Sequence, residues 1–355
     1  MGQVRVIPHN RPFISNEDRV AVDAALASGW ISQGPSVRAL ENWFVRYHAG
    51  GGACALSSGT SALFMALKSL GVGIGEEVAI PSYACSALLN AVFMAGASPR
   101  VVDVLPDTFC LDAQAIQTKA PNARFVIAVH TYGATANIEA IKKQNRVVIE
   151  DCCQALGGTA SNIPLGSTGD VSVFSFYATK IVTGGQGGLI WTRDSEALER
   201  VRDYREFDCR ETYVPRFNLQ MTDIQAALVN SQISRIESIR KRRASIARDY
   251  MNAMPKGLST QSGLLTSGRM VHRFVVITPD QSVREALHNH LISEGIECIV
   301  PMNRFELLHR YLRLAPDDYP NSERLAETTL SLPIHLCLSD KDVFMISNAL
   351  YSFKP

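Results

Sequence analysis

A chain of 355 residues, 46% hydrophobic and 19% charged, is long enough for one large and one smaller core and is ordinary in composition for a compact soluble protein. Its 35 basic and 34 acidic residues leave a net charge of +1. That balance excludes a general electrostatic hold on nucleic acid or an anionic membrane, so any bound anion is caught locally by a few donors in a cleft.

Residues 1–13 mix Arg5, His9 and Arg11 with short apolar stretches and lack the apolar core of a secretion signal. The most apolar stretch, 83–97, falls short of the roughly 20 residues that span a bilayer. Eight cysteines show neither CxxC pairs nor paired Cys/His spacing, so reduced thiols in a cytoplasmic protein are expected, and no metal site.

In chain order, Ser15 with Asp18 three residues on marks a capped helix start, and Gly29 follows that helix. Ser36 opens a second helix with Val37, Leu40, Phe44 and Tyr47 on one face. Apolar runs at 77–80, 100–104, 125–130, 146–149 and 171–176 predict buried strands, with a further one at 188–192. Helical patterns separate most of them, as a largely parallel sheet covered on both faces requires. Residues 221–254 then read as one long helix, the hinge between two domains. Its apolar residues include Ile224, Leu228, Ile233 and Ile239, and the run Arg240-Lys241-Arg242-Arg243 reads as a solvated face rather than a phosphate patch. Strands at 271–277 and 297–300 with three more helical patterns predict a small α+β unit. The expected architecture is α/β, with a large domain at 1–235 and a small C-terminal domain at 236–355.

Four features fall where strands give way to loops, the edge at which open α/β sheets bind ligands. Ser57-Ser58-Gly59-Thr60-Ser61 precedes a helical pattern, and exposed N–H groups at such a helix start suit a phosphate, although an ordinary cap explains it alone. The strand at 146–149 runs into Glu150 and Asp151. A carboxylate there serves as a metal ligand, as a turn residue, or as the partner of a pyridinium N–H, whose protonated form it favours. The strand at 171–176 delivers Ser175 and then Lys180, 29 positions after Asp151. A lysine shielded from water becomes a nucleophile toward carbonyls, though surface lysines are far commoner. Thr183-Gly184-Gly185-Gln186-Gly187-Gly188 fits neither GxGxxG nor a P-loop, and its glycines allow a tight fold under a cofactor.

Taken in order, these segments resemble the DegT/StrS-type sugar aminotransferases, fold type I pyridoxal-phosphate (PLP) enzymes related to aspartate aminotransferase. The resemblance covers nearly the whole chain. It includes Trp30-Ile31-Ser32-Gln33-Gly34-Pro35, Ile80-Pro81-Ser82-Tyr83, Val129-His130-Thr131-Tyr132-Gly133, the Asp151 and Lys180 segments, Phe217-Asn218-Leu219-Gln220-Met221-Thr222-Asp223 and Leu330-Ser331-Leu332-Pro333. It implies that Lys180 forms the internal aldimine with PLP and shuttles a proton once released. Asp151 would pair with the pyridine nitrogen and Gln154 with the ring's 3-oxygen. Gly59, Thr60 and Ser175 would hold the phosphate, joined by Asn218 from a partner subunit, which implies a homodimer with shared active sites. Three departures from the family pattern stand out. Cys85 takes the place of an aromatic residue that stacks on the cofactor ring, with Tyr83 two residues earlier; Gln186 replaces a glutamate; and Ile181 replaces an asparagine after the lysine.

The resemblance implies transfer of an amino group from an amino acid, L-glutamate by analogy, to a nucleotide-linked keto-sugar, in amino-sugar or polysaccharide biosynthesis. Retention of Lys180 argues for transfer over dehydration, because sugar dehydratases of this family carry histidine there. Two alternatives stand beside it: another PLP-dependent transformation of a sugar or aminocyclitol, and a non-catalytic PLP- or sugar-binding regulator. For substrate contacts the candidates are His130, Tyr132, Arg205, Arg269, His272 and Arg304, each at least as readily structural.

Overall fold

The computed structural model describes residues 6–354; residues 1–5, part of the segment read for a secretion signal, and residue 355 lie outside them. Two helices come first, α1 (Asn16–Ala27) and α2 (Pro35–Tyr47). Ser15 and Asp18 cap α1 reciprocally, and Gly29 behind it takes φ +76°. The chain then lays down β1 (Gly52–Leu56), α3 (Gly59–Ser69), β2 (Glu77–Pro81), α4 (Ala87–Met94) and β3 (Ser98–Val102). After these come α5 (Ile116–Lys119), β4 (Phe125–Val129), α6 (Ile138–Lys142) and β5 (Val147–Asp151). A small hairpin, β6 (Thr159–Ala160) and β7 (Ile163–Pro164), precedes β8 (Val171–Ser175), β9 (Gly188–Thr192) and α7 (Ser195–Arg205).

Seven of these strands form one sheet in the order β1-β9-β8-β5-β4-β2-β3. Strands β8, β5, β4, β2 and β3 are parallel, and β9 is antiparallel to both its neighbours. It follows that β1 points the same way as the parallel strands, and its carboxyl end opens on the same edge as theirs. Side chains alternate across the sheet. Cys54, Leu56, Ile80, Ile149 and Val173 pack under α3, α4 and α7. On the opposite face, Ala53, Ala55, Phe174 and Leu189 meet α2, and Ala79, Val126 and Val148 meet α5 and α6.

The predicted helix over 221–254 is two helices, α8 (Asp223–Ile233) and α9 (Ile236–Ala253). The apolar periodicity runs through the break, but the two halves serve different cores. Val229 and Ile233 of α8 pack against the main sheet, whereas Ile246, Ala247 and Tyr250 of α9 pack on the second sheet. At the break, Arg235 leaves helical geometry (φ −107°, ψ 14°) and donates to Asp18 Oδ1 (2.6 Å) and Ser15 Oγ (2.8 Å). In the basic run, Arg240 pairs with Glu237 and Arg242 with Asp340. Arg243 departs from a solvated face: it is buried and donates to the carbonyls of Val271 and His272.

The second sheet has three strands, β10 (Ser259–Thr260), β11 (Phe274–Ile277) and β12 (Thr329–Leu332), all antiparallel. Helices α10 (Gln281–Ser293), α12 (Pro320–Thr328) and α13 (Asp340–Ser352) accompany it, Ile7 joins its core, and the short α11 (Leu308–Tyr311) packs Leu308 into the main-sheet core. The strand expected at 297–300 is absent as such. Its backbone makes an isolated bridge from Ile299 to Ser331, because β12 is short and the segment leaves it after one residue. No helix among the described residues is long and apolar enough to cross a membrane.

Candidate active site

Three chain segments converge on the carboxyl edge of the main sheet. After β1, Ser58 caps α3, its Oγ accepting from Ser61 N at 3.0 Å. The N–H groups of Gly59 and Thr60 are left without intrahelical partners, as first-turn groups always are, and are open to an anion. Packing forces glycine here. A Cβ on Gly59 would stand 2.8 Å from Ser175 Cβ and 3.0 Å from its Oγ, and one on Gly188 would meet Ser58 O at 2.1 Å. The glycine loop is therefore pressed against the start of α3.

The second segment is the end of β5, where Glu150 and Asp151 face opposite ways. Glu150, 1% exposed, accepts from His130 Nε2 (2.8 Å), Gly166 N (3.0 Å) and Thr168 N (2.7 Å), and also from Gly169 N. Burial alone would raise its pKa, but these donors outweigh burial and hold it below the usual carboxylate value. His130 Nδ1 accepts from Ala136 N at 3.1 Å, which leaves its proton on Nε2 for Glu150. With Cys152 these two side chains form a cluster tight enough for a metal ion. Their lone pairs are already spent on protein donors, and burial pushes the Cys152 thiol well up. The cluster is a brace under the β5 end.

Asp151 is 4% exposed and accepts from Cys153 N at 2.9 Å through Oδ1. The third segment follows β8. Ser175 ends the strand, and a turn with Lys180 N donating to Tyr177 O (2.9 Å) brings the lysine back over the edge. Phe176 and Gly187 stitch the returning loop to the strand end (2.9 Å), with Gly187 at φ +135°.

These segments line one pocket at the carboxyl edge of the sheet. Gly59, Thr60, Asp151, Ser175 and Lys180 line it, together with Cys85, Gln154 and Gln186. Gln154 accepts the backbone N–H of Tyr132 (2.8 Å) through Oε1, which orients its NH2 group for donation. Asn218 is not among the lining residues. Tyr83, the aromatic neighbour of Cys85, is also absent from the pocket. It is fully buried, edge-on to Phe109 and Tyr132. Ile181 turns into the core against α2 and α8. Cys153 lines the pocket too and was not singled out by sequence; its place two residues beyond Asp151 was the available signal.

The six candidate substrate contacts separate sharply. Arg205 is locked to Glu41 (2.8 Å) and Ala55 O, Arg269 to Ser262 O and Gln261, and Arg304 to Glu323 and Glu327. His130 is the brace already described, and Tyr132 is buried beside Tyr83. His272 alone lies against Lys180, in a second cleft on the lysine's other side that also holds His9, Arg243, Arg273, Ser331 and His335.

A family model described as the DegT/DnrJ/EryC1/StrS aminotransferase family matches residues 12–351. The chain is 30% identical to the GDP-perosamine synthase of Caulobacter vibrioides, over an alignment covering 96% of each. It is 29% identical to the spore coat polysaccharide biosynthesis protein SpsC of Bacillus subtilis, covering 95% of this chain and 94% of that one. Among solved structures, the putative sugar aminotransferase Spr1654 of Streptococcus pneumoniae in its PMP form superposes with a TM-score of 0.90, at 25% identity and over 98% of this chain and 97% of that one.

Proposed function

The chain belongs to the DegT/DnrJ/EryC1/StrS aminotransferase family, and on that premise we propose that it moves an amino group from L-glutamate to a nucleotide-linked keto-sugar, with PLP seated between Asp151 and Lys180. The observation that carries this reading is the shared pocket: a buried carboxylate at the end of β5, a lysine after β8 and the open N–H groups of α3 all line one space. The residues fit the group. Pyridoxal phosphate has a phosphate, a basic ring nitrogen, a phenolic oxygen and an aldehyde, and the pocket offers a partner for each. When bound, the coenzyme supplies an electron sink for the carbon that exchanges nitrogen.

The protein's own residues do the rest. Gly59 and Thr60 N–H and the Ser175 hydroxyl take the phosphate, and Asn218 of the partner subunit reaches the same group in a homodimer with shared active sites. Asp151 Oδ2 would accept the ring N–H, and its negative charge would keep that nitrogen protonated. Gln154 donates its free NH2 to the ring oxygen. The Lys180 Nζ would hold the coenzyme's aldehyde end and would move the proton at the reacting carbon. Cys85, which lines the same pocket, would offer the ring a small thiol in place of an aromatic face. A nucleotide-linked sugar as acceptor is supported by the name of the Caulobacter relative, a GDP-linked sugar synthase.

The test is a half-reaction. Purified protein loaded with PLP and given L-glutamate should yield pyridoxamine phosphate and one equivalent of 2-oxoglutarate, and a panel of nucleotide keto-sugars should then reoxidise it. A Lys180→Ala variant should lose both the yellow colour of the lysine-bound coenzyme and all turnover. If no amino acid converts the coenzyme in the wild type, the transfer reading falls.

A further inference from the structure

Ser82 is the first residue beyond β2, and Ala84, Cys85, Ala87 and Leu88 just after it line the proposed coenzyme pocket. Its N–H donates to Val102 O (2.8 Å), and its carbonyl accepts from Leu308 N (3.0 Å) and Ala84 N (3.1 Å). Its hydroxyl meets His309 Nδ1 at 2.6 Å. The His309 ring stacks on Tyr319 at 4.3 Å, and its Nε2 meets Glu323 Oε1 at 2.8 Å. Glu323 in turn accepts from Arg310 Nε (2.6 Å) and Arg304 Nε (2.8 Å). The proton positions follow from these partners. A carboxylate gripped by two guanidinium groups is ionised and only accepts, so His309 carries its proton on Nε2. Burial lowers the imidazole pKa against the pull of Glu323, and the ring stays neutral. Nδ1 is then the acceptor and the Ser82 hydroxyl the donor. Acid, imidazole and hydroxyl in that order are the parts of a hydrolase triad. Yet Ser82 and His309 are both 0% exposed, so no substrate reaches the hydroxyl. The relay holds a position instead.

We propose that His309 is a positioning residue for the coenzyme: through Ser82 it fixes the turn over residues 82–85, and with it the pocket wall that Cys85 and the start of α4 form. The inference rests on reading that pocket as the PLP seat. A wall set in advance spares the cost of ordering it when the coenzyme enters. The turn is short, with α4 already begun at Ala87, so a shift at Ser82 reaches Cys85 before the chain can absorb it. Removing the ring nitrogen would leave a buried hydroxyl without its acceptor, which is costly enough to move the turn. Other bonds keep the two sides together without His309. Asp103 accepts from Asn321 N (2.9 Å), Ser322 N (3.0 Å) and Ser322 Oγ (2.6 Å), and Asn321 Nδ2 donates to Val104 O (2.9 Å). Loss of the relay therefore frees the turn while α12 stays docked.

The experiment compares the full-length wild type with Ser82→Ala, His309→Phe and His309→Gln. Phenylalanine keeps a ring on Tyr319 but offers no acceptor, whereas glutamine carries an acceptor and a donor on one amide. Amide hydrogen exchange of the coenzyme-free protein, read by mass spectrometry over residues 82–88, reports the turn. Titration with PLP, followed by absorbance, reports the seat. In Ser82→Ala and His309→Phe, exchange over 82–88 should quicken about tenfold while exchange in β4, β5 and β8 stays as in the wild type. The dissociation constant for PLP should rise about 3- to 10-fold in both. Combining the two should be no worse than the poorer single variant, because both cut one bond. His309→Gln should lie nearer the wild type. Exchange quickened throughout the fold, or PLP affinity unchanged, would reduce the relay to a general tie and overturn the assignment. Unchanged exchange over 82–88 in both variants overturns it as well. Ser82→Ala carries the test if His309→Phe does not fold. Should the wild type take up no PLP while the variants still quicken exchange over 82–88, the anchoring of the turn stands and the coenzyme reading is what fails.

Discussion

At position 59 one methyl group is enough to disturb the proposed coenzyme seat. Its Cβ would stand 2.8 Å from Ser175 Cβ, inside van der Waals contact, so either α3 or the β8 end must shift. Both carry proposed phosphate ligands. Gly59→Ala is expected to weaken PLP binding about tenfold, or about 1.4 kcal/mol, read by titrating the apo-protein and following absorbance. Equal affinity in variant and wild type would remove Gly59 from the seat. Glu323 offers a second residue-level test. It accepts from His309 Nε2 (2.8 Å), Arg310 Nε (2.6 Å) and Arg304 Nε (2.8 Å). Burial would raise its pKa, yet the bonds from Arg310, His309 and Arg304 win and depress it from 4.5 to about 2. A depressed carboxylate stabilises the fold fully above its unfolded pKa, and that contribution is lost as pH falls through the folded one. The gap in urea midpoint between wild type and Glu323→Gln should therefore shrink as pH drops from 4.5 toward 2. A gap independent of pH would show that the three donors do not act through the ionised form.

Among elements, the junction of α2 with α8 shows how distant segments close the fold. Asp223, the first residue of α8, is buried and accepts the N–H groups of Gly34 (2.8 Å), Ser36 (2.9 Å) and Val37 (2.9 Å). It caps a helix nearly 190 positions away in place of that helix's own N-cap, Gly34, which has no side chain to do so. A Cβ on Gly34 would come 2.9 Å from the Asp223 carboxylate, which explains glycine there. Asp223→Ala strands three N–H groups and should cost roughly 3 kcal/mol or more, seen as a lower urea midpoint. Asp223→Asn, keeping one acceptor oxygen, should recover part of that loss, and an alanine variant within about 0.5 kcal/mol of wild type would refute the cap. Such long-range capping cannot be read from sequence, because local spacing carries no trace of it. Local signals were readable: the Ser15–Asp18 box, the apolar strands β2, β4, β5, β8 and β9, and the polar residues at their ends. The small-residue strand β1, Gly-Ala-Cys-Ala-Leu, has too little bulk or alternation to announce itself. The break at Ser234–Arg235 was hidden because each half of 221–254 keeps helical periodicity while turning to a different core. The grouping of these residues around one pocket was legible because strand ends carry it. The second cleft beside Lys180 was not, since His9, Arg243, His272 and Ser331 come from four separate regions of the chain.

For the whole molecule, the decisive question is whether one chain completes its own site. Every proposed PLP ligand except Asn218 lines the same pocket. Asn218 sits on the segment that leads into α8, where Leu219 N–H bonds Phe217 O and Ser57 N–H bonds Leu219 O. Exposed apolar side chains on α1 and the connection that follows it, Val20, Leu26, Trp30 and Ile31, provide surface for a second copy to cover. If the sites are shared across a two-fold axis, two differently damaged chains can repair each other. Lys180→Ala removes the anchor within its own site, and Asn218→Ala removes a phosphate contact from the neighbour's. In a mixed dimer both defects fall on the same site, which leaves the other intact. Random mixing makes half of the dimers mixed, each with one working site, so at a coenzyme concentration too low to load the Asn218→Ala homodimer, refolding the two variants together should restore about a quarter of wild-type turnover. The recovered activity should co-sediment with the dimer and be lost on dilution below its dissociation. If Asn218→Ala lowers coenzyme affinity but mixing restores nothing, the asparagine serves its own chain and each protomer must work alone.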